Sequence, residues 1–356
     1  MISWLRRHFS ALIIVLSIAA VLIIAFSNQE LENAWDVFLS LHPGWLLAVL
    51  CCWMAYAGFE GLGSWFYLRS QGFRLGFLRS LSATMIGFFY SNVTPSAAGG
   101  QPMQVHSFRR AGVPVGYGTT AVTIRFICNQ FAISVVSLVM LLLRRGDVYT
   151  ALEGKIWFFR VGWLINFGAI PVVLLAAFHP RWIRALAEGL LRLLTRLKLL
   201  RRPDEIRARV WDILELYHTS MRQLMRRPGQ IVLQLLCSLA SVLGMMLSIV
   251  FVYRAFGLRG TDSGLLLTLS AMLFVSASYT PLPGASGAQE GGFLLYFNGI
   301  FTDGIIGLAL LVWRFFTYYL FLITGIFFVI GDRLSSRRDA EGGPDQTVPS
   351  APDPSP

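Results

Sequence analysis

The apolar positions of this chain fall into long runs separated by short polar segments, most of them basic. Uninterrupted runs of span length occupy residues 44–68, 117–143, 161–178, 231–253 and 304–330. A hydrocarbon core of about 30 Å needs roughly 20 helical residues, so each run predicts one membrane-crossing helix. Residues 9–26 form a further uncharged run of 18. Its flank at Ala25-Phe26-Ser27 resembles a signal cleavage site, but the run exceeds the usual h-region of about 7–15 residues. It therefore reads as a sixth span.

Two other apolar runs are broken in the middle. Residues 77–108 are interrupted by TPSAAGGQ at 94–101, and residues 265–297 by TPLPGASGAQEGG at 280–292. Both breaks begin Thr-Pro, pass through small residues, and reach a Gln, Gln101 or Gln289. Each is followed by an apolar helix with one Arg inside, Arg125 at 24 residues after Gln101 and Arg314 at 25 after Gln289. The match predicts an internal duplication, with repeat one at about 44–143 and repeat two at about 231–330. The arms beside each break are shorter than a full span, which predicts re-entrant hairpins. Broken backbone at membrane depth is tolerated only against protein or a water-filled cavity, and paired interruptions of this kind point to a transport site.

Composition agrees. Hydrophobic residues make up 55% of the 356 positions and charged residues 14%, against about 25% charged in a soluble domain. The net charge of +11 would suggest nucleic acid in a soluble protein, but here its placement explains it. With a cytoplasmic N-terminus and same-side hairpins, 22 of the 30 Lys and Arg fall in cytoplasmic segments, 6 in outside loops, and two are Arg125 and Arg314. That is the positive-inside bias. It also predicts hairpins entering from opposite faces, an inverted repeat suited to alternating access, with both termini cytoplasmic. Residues 144–160 read as a short outside loop. Twelve of the basic residues sit in 179–228, where Trp182, Ile183, Leu186, Leu190, Leu193, Leu194 and Leu197 form an apolar stripe. This helix either lies on an anionic leaflet or packs on the protein's own cytoplasmic face. Residues 332–356 read as a disordered tail.

The chemistry-bearing positions are few. Cys51, Cys52, Cys128 and Cys237 all lie in apolar runs without metal or redox spacing, and the five histidines do not cluster. Neither a catalytic set nor a metal or cofactor site is expected. A central membrane Arg costs about 2.5–3.5 kcal/mol on insertion scales, so Arg125 and Arg314 should face an interior or a cavity. They are candidate phosphate clamps; alternatively, they pair with Glu60 and Glu290, the acids within apolar segments. Those acids could equally meet a cationic headgroup or a coupling proton. Gly99, Gly100, Gly284 and Gly287 are candidates to turn the backbone and present amides to an anion, or simply to pack tightly, and Thr94, Gln101, Thr280 and Gln289 of the same breaks complete the candidate substrate-binding set. Gly58, Gly61 and Gly63 around Glu60 should admit a neighbouring backbone.

The segments NVTPSAAGGQPMQ at 92–104, YTPLPGASGAQEGGF at 279–293 and WRFFTYY at 313–319 resemble the transmembrane region of the lysylphosphatidylglycerol synthase/flippase family, the multiple peptide resistance factors. The resemblance covers about residues 1–332. It implies a flippase-like domain moving phospholipids or polyprenyl-linked lipids between leaflets, with Thr94, Pro95, Gly99, Gly100, Gln101, Pro281, Pro283, Gly284, Gly287, Glu290 and Arg314 as matching positions. The bifunctional members also have a soluble aminoacyl-transferase domain, for which this sequence has no counterpart, so no enzyme activity is expected. The expectation is thus an all-α, multi-pass protein of the bacterial inner membrane, about six spans plus two broken hairpins over residues 1–331, working as a lipid translocase. Its partners would be anionic or zwitterionic lipids, a second copy, or a lipid-modifying enzyme, and no nucleic acid. The alternative is a non-transporting scaffold of a lipid- or glycan-synthesis complex, docked through 179–228.

Overall fold

The computed structural model describes residues 34–152, 156–178, 203–278, 280–301 and 304–341, with scattered positions between 185 and 196. The expected first span 9–26, the apolar stripe of 182–197 and the tail beyond 341 lie outside the described residues. The rest is helical; among the described residues the strand-like pairing is one isolated bridge, Asn298 to Phe301.

A short helix α1 (Ala34–Leu39) leads into α2 (Pro43–Ser70). Hairpin one follows, its arms α3 (Phe77–Val93) and α4 (Gly100–Arg110) joined by a one-turn 3-10 helix, Pro95–Ala97. Next come α5 (Val115–Leu143), α6 (Arg145–Leu152), α7 (Trp157–Phe178) and α8 (Pro203–Met225). The second half repeats the order of the first. It has α9 (Pro228–Ala255), hairpin two with α10 (Ser263–Ala277), the turn Pro283–Ala285 and α11 (Ala288–Phe297), then α12 (Ile306–Arg314). A π-helical turn at Phe315–Tyr319 joins α12 to α13 (Leu320–Glu341) without a break.

Among the described residues, four helices are long and apolar enough to cross a membrane: Pro43–Ser70, Val115–Leu143, Pro228–Ala255 and Ile306–Leu334. Helix α7 occupies the remaining predicted run, 161–178, with Pro171 accommodated inside it. Large apolar side chains such as Leu47, Leu142, Leu164, Leu236 and Phe327 face outward, as lipid-facing residues do. The hairpin arms of 17, 11, 15 and 10 residues would reach only about 25, 16, 22 and 15 Å, short of a bilayer core.

Helices α2 and α9 form the centre and run antiparallel. The His42 amide donates to the Ala255 carbonyl at one end (3.0 Å), and the Arg227 guanidinium to the Ser70 carbonyl at the other (3.0 Å). Ion pairs fix where the hairpins open. Arg110 at the base of hairpin one meets Asp332 of α13 at 2.5 Å, and Arg144 at the end of α5 meets Asp262 at the base of hairpin two at 2.9 Å. Helix α5 starts beside the first base and ends beside the second, about 43 Å away along its 29 residues. The hairpins therefore enter from opposite ends of the bundle. Each also packs on the last helix of the other repeat, α3 on α13 and α10 on α5.

Two expectations change, and a packed helix appears in the basic region. The segment 144–160 is not only a loop, since it contains α6 with Val148 and Leu152 buried. The tail predicted to be disordered from 332 is helical as far as Glu341. Within the basic region, α8 turns Tyr217, Met221 and Leu224 into the protein's own core. Leu216 sits where a Cβ at Gly116 of α5 would fall, 2.6 Å away. The choice between leaflet and protein concerned the stripe of 182–197, which lies outside the described residues.

Candidate functional site

The two hairpin tips meet inside the bundle. The Ser96 amide of tip one donates to the Pro281 carbonyl of tip two at 3.0 Å. In tip one, Thr94 leaves the helix in an extended conformation, and its hydroxyl closes the loop. Its Oγ1 donates to the Tyr90 carbonyl (2.6 Å) and accepts from the Gly99 amide (2.9 Å). Ser96 and Ala97 have φ of 53° and 54°, a left-handed conformation that costs a non-glycine residue roughly 1–2 kcal/mol. Such outliers persist where surrounding structure enforces them. Gly100 is required sterically, because a Cβ there would lie 1.8 Å from Ser91 Oγ.

Tip two is closed by a carboxylate. Gly287, with φ of 85°, starts α11, and its amide donates to Glu290 Oε2 at 2.6 Å, one half of a capping box. Gly284 has φ of 62°, and a Cβ there would fall 2.0 Å from the Tyr318 ring. Only glycine fits both the backbone and the space.

Both arginines are paired with the predicted acids. Arg125 Nη1 lies 2.5 Å from Glu60 Oε2. Glu60 Oε1 also accepts from Asn129 Nδ2 (2.9 Å) and Ser241 Oγ (3.0 Å), so this carboxylate ties α2 to α5 and α9. The second Nη of Arg125 donates to Gln104 Oε1 of α4 (3.1 Å), whose amide in turn reaches Thr84 of α3 (3.2 Å). Arg314 Nε donates to Glu290 Oε1 at 2.7 Å, and its Nη2 to the Gly284 carbonyl at 3.2 Å. Tyr318 lies with its ring centroid 4.6 Å from that guanidinium, and its hydroxyl donates to the Asn92 carbonyl of hairpin one (3.3 Å). The side chains of Arg314 and Glu290 are only 3% and 5% exposed, so each neutralises a charge that would be costly alone.

Two adjoining cavities flank the tips, sharing Tyr56, Ser91, Asn92, Ala97, Phe274 and Thr317 in their walls. The first, about 320 Å³, is lined by Arg125, Gln101 and Asn129 among aromatic rings. The second, about 300 Å³, is lined by Arg314, Gln289, Thr280, Gly284 and Tyr318. Six of the twelve predicted site residues thus line cavity walls: Arg125, Arg314, Gln101, Gln289, Thr280 and Gly284. Glu60 and Glu290 stand behind the arginines. Thr94, Gly99, Gly100 and Gly287 shape the tips and line neither cavity. The amides of Gly99 and Gly287, expected to receive an anion, are already engaged by Thr94 and Glu290. The glycine expectation near Glu60 holds at Gly61, whose missing Cβ admits the Leu81 backbone, but Gly58 has open space around it.

Tyr318, Asn92 and Gln104 were not legible as site residues. Tyr318 is one aromatic among five consecutive residues, FFTYY, and only the π turn after Arg314 brings it under the tip. Such turns recur at functional sites. The one available signal was its spacing of four from Arg314.

Comparison with known proteins fits this architecture. Residues 10–325 match the model of the lysylphosphatidylglycerol synthase TM region. The chain is also 26% identical over 332 residues to a UPF0104 membrane protein of Archaeoglobus fulgidus, covering 88% of this chain and 93% of the relative. A helix–hairpin–helix unit used twice, two paired arginines beside the hairpins and a match across nearly the whole chain place this multi-pass membrane protein in the lysylphosphatidylglycerol synthase transmembrane-region family.

Proposed function

We propose that the protein is a lipid translocase, not an enzyme, that passes a headgroup between leaflets where the two hairpin tips meet. It would sit in the cell membrane, the bacterial inner membrane in the sequence reading, with its basic ends toward the cytoplasm. The supporting observation is the tip-to-tip contact between hairpins that enter from opposite ends, flanked by two polar-walled cavities with one arginine each. Taking a charged headgroup unaided into low dielectric costs tens of kcal/mol by Born estimates; polar walls at the midpoint offset that while the acyl tails stay in lipid. Inverted repeats meeting at a central site are the arrangement that rocking transport uses.

The test is a leaflet-accessibility assay on purified protein in liposomes, with tail-labelled lipids and a quencher outside. The wild type should expose inner-leaflet label. Arg314→Gln combined with Glu290→Gln removes the pair without stranding a charge, and should slow exposure by ~10-fold or more, about 1.4 kcal/mol of barrier. Undiminished transport in the folded double variant would reduce this pair to a brace. Failure of any labelled lipid to change leaflet in folded wild type would count against translocation.

A further inference from the structure

We propose that the site takes a zwitterionic headgroup, one bearing both a phosphate and an ammonium group with zero net charge, and discriminates against net-anionic lipids. This rests on the translocation reading and narrows its substrate class. The charge inventory supports it. Among the described residues, the ionised side chains in the cavity walls are Arg125 and Arg314, and each is already bonded to a buried carboxylate, Glu60 or Glu290. The site is therefore neutral before a headgroup arrives. Backbone does not change this. Each hairpin brings one helix C-terminus and one helix N-terminus to its tip, so their partial charges of opposite sign oppose each other. The tip amides of Gly99 and Gly287 are also occupied. An anion entering a neutral, low-dielectric site has no net countercharge, whereas a zwitterion adds none that needs one.

The walls also suit the two halves of such a headgroup. The first cavity is lined by the rings of Tyr56, Phe88, Phe126, Phe274 and Phe321 as well as by Arg125, whose guanidinium lies 5.9 Å from the Phe88 ring centroid; ring faces attract an ammonium ion, and a guanidinium can meet phosphate. In the second, two wall residues hold buried polar atoms without a partner, Gln289 Oε1 (residue 7% exposed) and Trp313 Nε1 (1% exposed). One accepts and one donates. Buried unsatisfied groups are rare enough to ask for a ligand, and an ammonium with a neighbouring phosphate offers both complements after a small local adjustment.

The experiment compares tail-labelled phosphatidylethanolamine and phosphatidylglycerol in the same liposomes. Wild type should move the zwitterion at least about tenfold faster. Glu290→Gln keeps a hydrogen-bond acceptor but leaves the site with one net positive charge, and should turn the preference toward phosphatidylglycerol. Glu60→Gln should do the same from the first cavity, a second route if the first variant folds poorly. Equal rates in wild type, a faster anionic lipid, or a ratio unchanged in both charge variants would overturn the proposal while leaving translocation standing. If neither lipid moves with folded protein, translocation falls and this proposal with it.

Discussion

The two hairpins share one pattern but are wired differently. In hairpin one the acid that holds the arginine is Glu60, on the central helix α2, and the arginine reaches the arms rather than the tip, through Gln104 of the second arm and the Phe88 ring of the first. In hairpin two the acid is Glu290, in the hairpin arm itself, and the arginine bonds the tip carbonyl of Gly284 directly. Thr94 closes the first loop with a neutral hydroxyl; Glu290 closes the second with the same carboxylate that holds Arg314. One ion pair therefore joins three helices of the scaffold, while the other fastens hairpin two to α12. Loss of the Arg314 pair would loosen a loop, whereas loss of the Arg125 pair would loosen the frame.

The sharpest way to break this contrast is to remove each acid. Glu60→Ala strands Arg125, Asn129 and Ser241, and truncating one partner of a buried pair costs about 3–5 kcal/mol. It should lower the thermal unfolding temperature of the detergent-solubilised protein much more than Glu290→Ala does. Equal losses would mean that both acids brace the scaffold. Next in size is Gly284→Ala, which adds a left-handed penalty of roughly 1–2 kcal/mol to a steric conflict with Tyr318. Hydrogen exchange over residues 280–292 should rise, and adding Tyr318→Ala should relieve part of the effect; no relief would locate the strain in the backbone alone. Smallest is Thr94→Val, which removes a loop-closing hydroxyl worth about 1 kcal/mol. Exchange should rise at the Gly99 amide with hairpin two unaffected. A response at tip two would show that the Ser96–Pro281 contact couples the loops.

The hairpins were legible because Gly, Pro and charge are expensive inside apolar runs, so each occurrence marks a constraint. The same logic located both arginines and their acids. Helix ends came within a few residues, as at 44–68 against Pro43–Ser70. The functional detail was hidden where chemistry is cheap. Gln104, Asn92 and Tyr318 sit among many residues of their kind, and their roles come from tertiary placement. The tip amides misled for the opposite reason: free glycine N–H groups are easily read from sequence, but the side chains that engage Gly99 and Gly287 are not. Helix α6 escaped because eight residues of mixed polarity carry no clear period.

The exchange of last helices between the repeats also sets a schedule for biogenesis. The first arm of hairpin one is complete at Val93, yet the helix it packs against begins at Leu320. At roughly 5–20 residues per second, synthesis of the intervening chain takes on the order of 10–45 s. Throughout that interval a helix pair too short to span, with a polar tip, has α2 beside it but lacks its other main neighbour. Insertion machinery or surrounding lipid must shelter it until the ribosome delivers the final span.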